Sequence, residues 1–156
     1  MTAQTDAASP SDHVLALKRV FQASQQTLFR AFTDPAQVEK WYGPRGFSAT
    51  VDRFDARPGG GYRLCMTAPD GAAHWLRGAF VAVEPYERLA FTWIWEQGEM
   101  AEHEMLVTLS FRPVGDATEV RLEHSRLPSE AAGKAHEGGW ISSFECLDEL
   151  LNTPGR

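Results

Sequence analysis

The strongest pattern of apolar and polar positions lies at the end of the chain, from Ser129 to Leu151. Trp140, Phe144, Leu147 and Leu151 recur at i, i+4, i+7 and i+11, which places them on one stripe of a helix with roughly 3.6 residues per turn. Ile141 and Leu150 widen that stripe, while Lys134, Glu137, Glu145, Asp148 and Glu149 fall largely off it. Ser129 after Pro128 is a good N-cap, and Glu130 suits the positive end of the helix dipole. Upstream the period is mostly two. Val14 to Phe21, Phe47 to Asp55, Tyr62 to Thr67, Ala72 to Val83, Leu89 to Trp95, Met105 to Phe111 and Thr118 to His124 all read as strands. Turn signals separate them: Arg57 to Gly61, Pro69-Asp70-Gly71, Glu84-Pro85-Tyr86 and Val114-Gly115-Asp116. Gly78 interrupts one strand, as a bulge or a close backbone approach does.

Between the first two strands the period is helical. Ser24 caps a short helix whose apolar face is Leu28, Phe29 and Phe32. Asp34-Pro35 starts a second, with Gln37 at the third position as in a capping box, and this helix stops before Gly43-Pro44. The order is therefore one strand, two short helices, six strands and one long helix. Short connections make successive strands antiparallel neighbours. The expected fold class is α+β, a curved antiparallel sheet of about seven strands with helices on one side and the long helix lying across it.

Composition narrows the classes of function. A chain of 156 residues, 43% hydrophobic, suits one domain with a substantial core. A net charge of −6 and a pI near 5.3 argue against general affinity for nucleic acid or an anionic membrane. No apolar run approaches the roughly 18 residues of a membrane span. Residues 1–13 lack the basic and apolar blocks of a signal peptide and read as a disordered tail, with 14–152 as the single domain and the cytoplasm as the expected location. Cys65 and Cys146 form neither a CxxC pair nor a disulfide framework and read as reduced, buried small hydrophobes.

Several stretches together resemble the START-like, helix-grip superfamily, and within it the bacterial family similar to the activator of the heat-shock-protein-90 ATPase. They are Val20 to Ser24, Leu28 to Pro35, Val38 to Gly43 (VEKWYG), Phe54 to Tyr62 (FDARPGGGY), and Gly78 with Glu84 to Leu89. Thr92-Trp93 and Gly139-Trp140 complete the match, which spans 14 to 151. The resemblance implies a sheet wrapped around the C-terminal helix with a cavity between them. In the wider superfamily such cavities hold lipids, polyketides, hormones or other apolar molecules, and some members are cyclases.

Strand alternation and this expected cavity together select the candidate ligand-binding residues. They are Tyr62, Leu64, Met66, His74, Leu76, Trp93, Trp95 and His124 from strands, Trp41 and Tyr42 from the short helices, and Trp140 and Phe144 from the long one. Plain core packing is the competing explanation for each of them. Gly138-Gly139, inside a helix, fits close packing, room for a ligand beside Trp140, or a kink. None of His13, His74, His103, His124 and His136 forms HxH or HExxH, so no metal and no cofactor is expected. His74, His124 and His136 can meet across a cavity, and His74, His124 and Glu123 are the candidates for an acid/base pair. No nucleophile elbow and no phosphate loop is present in the sequence.

The leading expectation is thus binding of an apolar or aromatic small molecule, in stress response or secondary metabolism, without membrane or nucleic-acid partners. The alternatives are a chaperone-ATPase-activator-like interaction module, whose partner is a chaperone, and a cyclase- or hydrolase-type enzyme using a pocket histidine. Homodimerisation through an edge strand or an aromatic loop stays open.

Overall fold

The computed structural model describes residues 13–152, and its elements follow the expected order. Strand β1 (His13–Phe21) leads into helices α1 (Gln25–Thr33) and α2 (Pro35–Trp41). Then come β2 (Ser48–Phe54), β3 (Gly61–Thr67), β4 (Ala73–Glu84), β5 (Arg88–Trp95), β6 (Met105–Val114) and β7 (Ala117–Leu127), and finally α3 (Glu130–Leu151). The seven strands form one antiparallel sheet in the order β1-β7-β6-β5-β4-β3-β2. Residues 1–12 of the expected tail lie outside the described residues. His13 belongs to β1, where it pairs with Leu127.

The helix ends are built by the residues that announced them. The Ser24 hydroxyl accepts from the Thr27 N–H at 3.1 Å, and the Ser129 hydroxyl accepts from Ala132 N–H at 3.1 Å. Asp34 serves two helices. Its N–H donates to the Arg30 carbonyl and closes α1, while its carboxylate accepts from Ala36 N–H and opens α2. Because that N–H is already engaged, the reciprocal arm of a capping box from Gln37 has no free donor to meet.

Gly78 marks a close approach. A Cβ there would sit 2.1 Å from the Thr92 carbonyl oxygen and 2.7 Å from the Tyr62 ring. Tyr62, its cross-strand neighbour, uses the vacant space, and its hydroxyl donates to that same carbonyl at 2.6 Å. Ala79 N–H donates to the Thr92 hydroxyl at 2.8 Å, so a side chain closes the gap in the ladder.

Helix α3 buries Ala132, His136, Trp140, Ser143, Phe144, Leu147 and Leu151. Ile141 does not widen this face; it is 43% exposed, because one step from Trp140 turns about 100° around the helix. Phe144 binds the layers together. Its ring lies edge-on to Phe21 of β1 at 5.6 Å and to Phe32 of α1 at 6.5 Å, and tilted to Trp41 of α2 at 6.5 Å. The C-terminal half of α3 therefore closes tightly on β1 and the short helices. Its N-terminal half does not close on β3, β4 and β5, and a gap remains there.

Candidate functional site

That gap is a cavity of about 390 Å³. Trp41 and Tyr42 at the end of α2, and Gly43, Pro44 and Phe47 of the following loop, form one wall. The sheet contributes Met66 from β3, His74 from β4, and Trp93 and Trp95 from β5. Met100, from the β5–β6 loop, reaches over the far side. The roof is α3, through Ala135, His136, Gly139, Trp140 and Ser143. Met66 and His74 are direct cross-strand partners and so share a face.

Behind the tryptophans lies a set of indole–imidazole hydrogen bonds. Trp95 Nε1–H donates to His136 Nε2 at 3.1 Å, which leaves His136 Nδ1 to carry the proton it gives to the Ala132 carbonyl at 2.8 Å. Trp140 Nε1–H donates to His124 Nδ1 at 3.0 Å, and His124 Nε2 faces the Met105 sulfur at 3.4 Å. The two imidazole centroids are 4.6 Å apart. Both rings are thereby held neutral with their lone pairs occupied. Burial, reinforced by the neighbouring His136, pushes the His124 pKa down to about 3. Burial also lowers that of His136, against the opposing bond to Ala132. Trp41 Nε1–H donates to the Ala31 carbonyl at 2.9 Å, whereas Trp93 Nε1 is buried without a partner among the described residues. Burial raises the phenol of Tyr42, so it stays a hydroxyl.

The profile of the Activator of Hsp90 ATPase homolog 1-like proteins matches residues 22–152. The chain belongs to this family. Among solved structures in its neighbourhood, a Chromobacterium violaceum protein is 27% identical with a TM-score of 0.84, covering 90% of this chain and 97% of its own. The AHSA1 protein of Silicibacter pomeroyi is also 27% identical, with a TM-score of 0.81 over 89% of this chain and 97% of its own. An Arthrobacter aurescens protein, 22% identical with a TM-score of 0.82 over 96% and 91%, shares the fold. No curated protein matches the chain.

In this member of the Hsp90-activator-homologue family, seven of the twelve candidate residues line the cavity: Trp41, Tyr42, Met66, His74, Trp93, Trp95 and Trp140. Five do not. Leu64 and Leu76 face the same side of the sheet but are fully buried in the packed core. Phe144 sits in the aromatic cluster where α3 meets α1 and α2. Tyr62 lines a narrow crevice with Phe54, Phe80 and Phe91, which Tyr42 also borders. His124 stands behind Trp140. The acid/base set of His74, His124 and Glu123 is not assembled, since Glu123 alternates to the exposed face of β7 and the His124 lone pair is taken by Trp140. Cys65 is buried and Cys146 partly so, and both are free thiols.

The sequence had one readable signal for a residue absent from the twelve. His136 lies four residues before Trp140 and so falls on the same helix stripe. Pro44, Phe47 and Met100 come from loops, where no periodicity reports direction. Among the described residues no group of three or more metal-ligating side chains comes together, and no helix is long and apolar enough to cross a membrane.

Proposed function

We propose that the protein binds an apolar or aromatic small molecule in the cavity between the sheet and α3. The observation that carries this reading is the cavity itself. At about 390 Å³ it lies within the range of small-molecule pockets, and its wall carries four tryptophans, two methionines and one phenylalanine. A packed core with this many large rings ordinarily leaves no void much larger than a water. Family membership supports the reading through the fold, while the site residues supply the chemistry.

The test is intrinsic fluorescence. Trp41, Trp93, Trp95 and Trp140 line the cavity, whereas Trp75 stacks under the Arg63 guanidinium on the sheet, 3.9 Å from its ring centroid. Titration with flavonoids, fatty acids and aromatic polyketides is expected to quench or shift the emission saturably for at least one class. Silence across the panel would refute the proposal. The family name also points to chaperone interaction, but among the described residues the exposed apolar side chains do not favour it. The exposed large apolar residues Val14, Val20, Val81, Tyr86, Val114 and Ile141 are spread over three strands, a turn and a helix.

A further inference from the structure

The charge of the cavity wall narrows what can enter. Among the described residues, no Asp, Glu, Lys or Arg lines it. Two charged groups near its lining residues in the chain are engaged elsewhere, while Lys134, beside Ala135, is exposed. Arg45, next to Pro44, pairs with Glu149 at 2.6 Å, and Glu102, two residues past Met100, pairs with Arg77. His136 offers no cation, since it accepts from Trp95 and burial disfavours its charged form. An anion entering here would lose its water and meet no opposite charge.

Polar groups are nevertheless present. Tyr42 and Ser143 are buried cavity residues, and neither hydroxyl has a hydrogen-bond partner among the described residues. This sets them apart from Trp41, Trp95 and Trp140, whose N–H groups are all satisfied by protein, and puts them beside Trp93, whose N–H is not. Hydroxyls that open on a cavity without a protein partner are the groups a ligand's polar atom completes. The volume, about 390 Å³, is between two and three times the roughly 150 Å³ that houses benzene in an apolar cavity.

We infer that the cavity selects an uncharged aromatic molecule of two or three fused rings bearing one hydroxyl or carbonyl, which the Tyr42 and Ser143 hydroxyls meet. The inference rests on the binding reading above and specifies its ligand class. The experiment compares naphthalene, 2-naphthol and 2-naphthoate by titration calorimetry at about pH 8, where a carboxylate is ionised and a phenol-type hydroxyl is not. The naphthol is expected to bind at least about tenfold more tightly than the naphthoate. Tyr42→Phe with Ser143→Ala is expected to weaken the naphthol roughly fivefold to tenfold and to leave naphthalene unchanged. Equal affinity for naphthoate and naphthol overturns the charge selection. Unchanged naphthol affinity in the double variant overturns the polar anchor. Both results leave the cavity as a binding site; no binding by any of the three probes overturns this inference, while the binding reading stands or falls with the fluorescence panel.

Discussion

His124 shows how one buried side chain couples packing to pH. Its folded-state pKa, about 3, lies below the roughly 6.5 of an unfolded histidine, so between those values the unfolded chain holds the extra proton. Stability from this group is therefore fully present above about pH 6.5 and is lost as pH falls toward about 3, by roughly 4 kcal/mol over the window. His136 adds in the same direction. His124→Asn keeps an acceptor for Trp140 and removes the titration. Urea midpoints measured from pH 7 down to pH 4 are expected to fall less steeply for this variant than for the parent. Site legibility also belongs to this scale. Alternation grouped Tyr62, Leu64 and Met66 on one face, which they share with Leu76 and His74, but did not by itself say which face looks at the helix. It carried no information on where along that face the helix lifts away. That is why Met66 and His74 line the cavity while Leu64 and Leu76, one pair inward, are core.

Among the elements, α3 carries the clearest division of labour, and its adjacent glycines separate stability from binding. A Cβ at Gly138 meets nothing within 4 Å, while one at Gly139 points toward Pro44 at 3.9 Å on the cavity wall. Close packing against the sheet is thus not what requires either glycine. Gly138→Ala is expected to stabilise the protein by up to about 1 kcal/mol through helix propensity, seen as a raised Tm with unchanged ligand affinity. Gly139→Leu is expected to fill the cavity and abolish the fluorescence response while the protein stays folded by circular dichroism. The elements were the most readable level of this chain. Ser24, Asp34 and Ser129 announced their helices, and turn residues punctuated every hairpin but the one joining β5 to β6. Strand ends were less so: β7 runs to Leu127, three residues beyond the expected end at His124, because β1 continues alongside it to His13.

At the scale of the whole molecule, Phe144 joins β1, α1, α2 and α3 in a single contact set. Phe144→Ala is expected to cost about 3–5 kcal/mol, read as a lowered urea midpoint that far-UV ellipticity and tryptophan emission report together. The strand order has a further consequence for biosynthesis. The first two strands of the chain occupy opposite margins of the sheet, and β1 is hydrogen-bonded to β7 alone, with Phe21 facing Thr118. Roughly a hundred residues of nascent polypeptide must therefore emerge from the ribosome before β1 finds its partner, and such long-range pairing is slow to form. Throughout that interval Val14 to Phe21 travels as an unmatched apolar ribbon.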